Sequence, residues 1–157
     1  TEGILVSPDD PSFYLWRGSA LQEIGDYDAA LADYVFVREC FNSGNHGTML
    51  NAKEQPIDAT IAELESFLQH PEGSLEFYVQ RGMYHIEKGL YQKAVDDFTE
   101  ALSLPDTDPE VYYHRALCRE RTGDISGMRE DLQRFLDSDP SSSYKKRMAE
   151  QMLERLD

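Results

Sequence analysis

The chain has 157 residues, 40% of them hydrophobic, with 15 Lys and Arg against 30 Asp and Glu for a net charge of -15. That length and apolar content suffice for one compact domain, while the charge repels phosphate backbones and anionic lipid, so nucleic acid and membrane are excluded as natural partners. Cys40 and Cys118 stand far apart with no CxxC, no apolar run approaches the roughly 20 residues of a membrane span, and no signal-peptide pattern occurs, so the default expectation is a cytoplasmic protein without disulfide or zinc.

In chain order, the first predicted element is a helical pair over about 11 to 41, where Gly18, Gly25, Tyr27, Ala30 and Tyr34 punctuate "YLWRGSALQEIGDYDAALADYVFV". "NSGNHGT" (Asn42 to Thr48) reads as loop. Next, "PIDATIAELESFLQH" predicts a helix over 56 to 70, with Pro56 in its first turn and Ile57, Ile61, Leu64 and Leu68 as its apolar row. Over 75 to 103, Tyr78, Gly82, His85 and Ile86 recur at helical spacing, Gly89 stops that helix, and Ala94, Phe98, Ala101 and Leu102 restart the stripe. A third pair is predicted over 109 to 137, carrying Ala116, Gly123, Ile125, Met128 and Leu132. After Pro140, "SSSYKKRMAEQMLERL" offers an N-cap serine and an apolar row of Tyr144, Met148, Met152 and Leu156, predicting a final helix over 142 to 156.

The three pairs share one register: Gly18, Gly82 and Ala116 align, then Gly25, Gly89 and Gly123, then Ala30, Ala94 and Met128, then Tyr34, Phe98 and Leu132. Gly82 and Ala116 are 34 residues apart. A helical hairpin has a face that it cannot cover alone, and stacking of neighbours buries it.

This pattern resembles the tetratricopeptide repeat, with its period of 34 and its order of aromatic, small residue, Ala, Phe and Pro. Tyr14, Tyr78 and Tyr112 take the opening aromatic place and Pro140 the closing proline place. The second copy departs from the pattern, with Pro105 one residue early, Asp106 in the proline place, and His85 for the second aromatic. The resemblance implies an all-α solenoid of helical hairpins in a single domain over 1–157: regular repeats at 11–44, 75–108 and 109–142, a degenerate repeat or insert at 45–74 containing the 56–70 helix, and a capping helix at 143–157. A long loop with one docking helix stays open for 45–74. Pro8 falls where a preceding repeat would end, with "GILVSP" as its last turn.

Arg17, Arg81 and Arg115 each precede the small residue, and Asp33, Asp97 and Asp131 come sixteen residues later on the partner helix, so structural ion pairs Arg17–Asp33, Arg81–Asp97 and Arg115–Asp131 are expected rather than an arginine ladder for an acidic ligand. His46, His70, His85 and His114 lack metal-ligand spacing, and His85 is expected as a buried, hydrogen-bonded imidazole. No GxSxG, P-loop or GxGxxG occurs. A non-enzymatic protein with no cofactor is expected.

The resemblance further implies a concave groove lined by the first helix of each repeat. It assigns to that groove Leu15 and Ser19, then Glu76, Val79, Met83, Ile86 and Glu87, then Glu110, Tyr113, Leu117 and Glu120. An apolar middle with acidic borders suits a protein or peptide segment carrying basic flanks around an apolar anchor. The places where the family can hold a terminal carboxylate are Leu15, Ser19, Gln80, Glu110 and His114, which supply no cation and disfavour that ligand. A structural assembly module, packing on further repeats or on copies of itself, remains the alternative, with a regulatory domain of a larger protein as a third reading.

Overall fold

The computed structural model describes residues 10–44 and 57–156. Among them all regular structure is helical: α1 (Pro11–Ile24), α2 (Tyr27–Asn42), α3 (Ile57–Leu68), α4 (Leu75–Glu87), α5 (Tyr91–Ser103), α6 (Glu110–Thr122), α7 (Ile125–Asp137) and α8 (Ser143–Glu154). Contacts divide the chain into a first unit reaching Gln69 and a second from His70 to Asp157. Pro8, His46, Pro56, the "GILVSP" turn and the 45–56 stretch of the degenerate repeat or insert lie outside the described residues.

Helix boundaries obey side-chain chemistry. Asp10, Asp26, Ser74, Asp124 and Ser142 each accept a hydrogen bond from a backbone N–H in the first turn of the next helix, satisfying donors that a helix start leaves without a partner. α1 and α6 end at Gly25 (φ 93°) and Gly123 (φ 82°), the left-handed conformation that a side chain makes costly. Asp106, in the family's proline place, has φ 59°. Proline, locked near −65°, could not adopt it, which accounts for the departure there.

In the first unit, α1 and α2 form a hairpin against which α3 packs through Ile57, Ile61, Leu64 and Phe67. Phe67 is fully buried, its ring edge-on to Tyr27 at 5.2 Å, whereas Leu68, expected in that row, is half-buried. One residue, about 100° around a helix, separates the two positions, and the larger ring takes the inner one.

The second unit has two linked cores. Ala94, Val95, Phe98 and Ala101 of α5 pack with Val111 and Cys118 of α6, and Tyr78, Val79, Met83 and Ile86 of α4 close over them. Met128, Leu132 and Phe135 of α7 pack with Tyr113 and Ala116 of α6 and with Ala149 and Met152 of α8. Each fully buried Phe or Leu contributes roughly 1.5–3 kcal/mol. α8 buries a face centred on Ala149 and Met152, with Met148 and Leu156 half-buried. Tyr144, expected in its row, is 64% exposed. The helix is turned so that its next residue, Lys145, faces Glu110.

Candidate functional site

Two side-chain systems repeat through the hairpins. The first is internal. Arg17 donates from Nε and Nη2 to the two oxygens of Asp33 at 2.7 and 2.5 Å, and Arg115 does the same to Asp131 at 2.9 and 2.7 Å. Arg81 sends both donors to Oδ1 of Asp97, at 3.0 and 2.6 Å. Asp33, Asp97 and Asp131 are all buried. Buried carboxylates of this kind persist only when their charge and lone pairs are met, and the guanidinium of Arg17 is in turn held above its ordinary pKa, chiefly by its hydrogen bonds to Asp33.

Each arginine also lies over the opening aromatic of its own copy: Arg17 over Tyr14 (5.2 Å), Arg81 over Tyr78 (5.6 Å) and Arg115 over Tyr112 (5.8 Å). The recurrence of that aromatic thus has a cation–π component, worth about 0.5–1 kcal/mol where exposed.

His85 is the buried, hydrogen-bonded imidazole expected, but its partner and two further contacts of this system were not read from the sequence. Asp97 uses its second oxygen on Nδ1 of His85 at 2.7 Å. In the next copy the corresponding residue is Arg119, whose Nη1 reaches Asp131 at 2.9 Å. Both sit four residues after the copy's arginine, one helical turn on, and that spacing was the available signal. Arg115 also donates from Nη1 to the hydroxyl of Thr99 at 3.0 Å, tying the third copy to α5 of the second.

The second system is the surface that the resemblance assigned to ligand. Leu15 and Ser19 belong to the first unit, where Leu15 is buried and Ser19 exposed. In the second unit Val79, Met83 and Ile86 are half-buried over the α5 core, and Leu117 is half-buried on the α6–α7–α8 core. Glu76 and Glu87 at the two ends of α4, with Glu120 on α6, are exposed.

Two assigned residues are engaged within the chain. Tyr113 is buried, its ring 5.2 Å from Phe135, and desolvation raises its pKa. Glu110 is ion-paired with Lys145 of α8, whose ammonium also lies over the Tyr113 ring at 5.9 Å. α8 therefore covers this face at its third-copy end. His114 is held below its ordinary pKa, first by burial and then by Lys145, so it is neutral at neutral pH. Among the described residues no cluster of His, Cys, Asp and Glu could hold a metal ion, and no helix is long and apolar enough to cross a membrane.

This architecture of paired helices, a small residue at each crossing and a repeated ladder is that of a protein-interaction repeat. Family models described as tetratricopeptide repeat match residues 11–35, 75–108 and 110–142, and the chain belongs to that family. It is 24% identical over 133 residues to tetratricopeptide repeat protein 16 of Macaca fascicularis, covering 74% of this chain and 15% of that protein. It is 25% identical over 158 residues to the tetratricopeptide repeat and J domain-containing co-chaperone DNJ1 of Cryptococcus neoformans, covering 91% of this chain and 30% of that protein. The chain thus spans less than a third of either relative. Repeats of this family mediate protein–protein interaction.

Proposed function

We propose that the second unit binds a protein segment along α4 and α6, and that this segment carries Lys or Arg around an apolar anchor. The observation that carries the reading is the arrangement on α4, where half-buried Val79, Met83 and Ile86 run between exposed Glu76 and Glu87. An apolar side chain laid on that row loses water on contact, and basic flanks meet acids that have not been desolvated in advance. Glu120 extends the acidic border onto α6. The Glu110 end is taken by Lys145, so the ligand's basic residues are directed to Glu76 and Glu87 instead.

The segment is internal to its protein rather than a free C-terminus, because Gln80, Glu110 and His114 offer no cation to a terminal carboxylate. The co-chaperone name of one relative fits a protein ligand. No nucleophile, base and orienting group converge on this surface, and binding without catalysis is the activity proposed.

The test is fluorescence anisotropy with labelled peptides that share one apolar anchor and differ in Lys or Glu flanks. Lys-flanked peptides should bind more tightly, and Glu76→Lys with Glu87→Lys should remove the difference. Equal affinity for both peptides would refute the reading.

A further inference from the structure

The outer row of α6 shows what the same row of α1 is shaped to meet. In the register that sets Gly18 against Ala116, residues Phe13, Trp16 and Ala20 of α1 stand where α6 has Val111, His114 and Cys118. On α6 these residues lie against α5. Val111 and Cys118 are buried with Ala94, Val95, Phe98 and Ala101, and the His114 ring is 6.1 Å from that of Phe98.

On α1 the row is more apolar, yet Trp16 is 75% exposed, Ala20 is exposed, and Ile24 one turn further on is 76% exposed. A tryptophan can bury about 150–250 Å², and a row that leaves it in water, with exposed Ala20 and a second large apolar residue two turns on along the same helix face, marks an interaction surface rather than scattered exposure. The interior of the α1–α2 hairpin uses the buried Leu15 and Gly18 and leaves Trp16, Ala20 and Ile24 outside, with Phe13 half-buried at the start of the row.

The sequence ahead of α1 continues the correspondence. Asp10–Pro11 matches Asp108–Pro109 before α6, and Ile4 and Val6 fall where Leu102 and Leu104 stand at the end of α5 and just beyond it.

We propose that the Phe13–Trp16–Ala20–Ile24 face of α1 is a docking surface for the second helix of a further hairpin of the same type, lying ahead of α1 in the polypeptide. Its occupant has the chemistry of α5: an amphipathic helix presenting small residues, as at Ala94 and Ala101, around a central aromatic. Ala20, in the place of the fully covered Cys118, is the point of closest approach, and Trp16 lies along the incoming helix. This surface is separate from the one on α4, and neither reading depends on the other.

Trp16 is the only tryptophan in the chain, so its emission and its quenching by acrylamide report on this face alone. The experiment compares residues 1–157 with a chain in which a copy of residues 75–107 replaces residues 1–9 and runs in register into Asp10. The extended chain should gain the helical circular dichroism of another hairpin, with blue-shifted Trp16 emission, several-fold weaker quenching and a melting temperature higher by several degrees. Ala20→Glu, at an exposed position, should leave the melting temperature of residues 1–157 unchanged and abolish the shielding in the extended chain. The proposal is overturned if the added hairpin folds and Trp16 stays as quenchable as before, or if the hairpin fails to fold in that position. It is equally overturned if sedimentation shows residues 1–157 forming a dimer that shields Trp16, which would give the face to a second copy.

Discussion

Nδ1 of His85 lies 2.7 Å from Oδ2 of Asp97, with both side chains buried, in the place where the third copy sets Arg119 against Asp131. The carboxylate is therefore met from two sides in the second and third copies. In the first copy the corresponding residue is Leu21, and Asp33 has Arg17 as its ladder partner.

The ladder should be graded by burial. The Arg115 side chain is 10% exposed, that of Arg81 24% and that of Arg17 39%. Arg115→Ala leaves the fully buried Asp131 with Arg119 as its remaining cation and is expected to cost about 3 kcal/mol in urea unfolding, the low end of the range for a broken buried pair. Arg17→Ala, screened by solvent, should cost roughly 1 kcal/mol or less, with Arg81→Ala between. Equal costs at all three sites would contradict the grading.

Gly82 and Phe98 form a matched pair. A Cβ built on Gly82 would stand 2.7 Å from the Phe98 ring, whereas one on Gly18 would meet Tyr34 at 3.2 Å. Gly82→Ala should thus destabilise by about 1–3 kcal/mol, the cost of overpacking a filled core. The third copy has Ala116 with Leu132 at these places. Phe98→Leu should therefore recover part of the loss, and a double-mutant cycle showing strict additivity would count against the pairing.

Glu110 and Lys145 should respond as a partly exposed pair. Their side chains are 31% and 25% exposed, so Glu110→Lys alone should lower stability by about 0.5–1 kcal/mol, and the swap Glu110→Lys with Lys145→Glu should restore most of it. The check is thermal unfolding at low and high salt, with the single-variant loss shrinking as salt rises.

Burial lifts the Cys118 thiol from an ordinary value of 9.0 to about 11. The folded chain then keeps its proton where the unfolded chain has released it, so this group's contribution to stability is intact below about pH 9 and falls as pH climbs toward about 11. Tyr113, also raised by burial, acts in the same direction. Comparison with Cys118→Ala isolates the thiol's share: the variant should lose stability less steeply across that interval. Thiol reagents at about pH 8 should modify Cys118 only as fast as the fold opens.

The helix pairs were legible because local signals coincide: a glycine that allows reversal, an N-cap and a 3.6-residue apolar stripe. The sixteen-residue Arg–Asp spacing was legible because it occurs three times. Contacts that occur once were not. Thr99 is an ordinary surface residue until Arg115 reaches back to it, and Lys145 is one of several basic residues until α8 turns it toward Glu110. Tyr113 shows the limit of family position as a guide. Its place on α6 marks it for ligand, but whether a neighbouring helix already covers that place is decided by α8, some thirty residues further along the chain.

The Arg115 side chain holds Asp131 on its own hairpin and the Thr99 hydroxyl on the one before, while Thr99 itself donates to the carbonyl of Val95 at 2.7 Å. One guanidinium thus spans the joint between two repeats that would otherwise meet mainly through oil-like surfaces able to slide. The consequence is mechanical: the joint has a fixed pitch, and backbone amides in α5 and α7 should exchange with solvent in a single opening event rather than fraying one hairpin at a time.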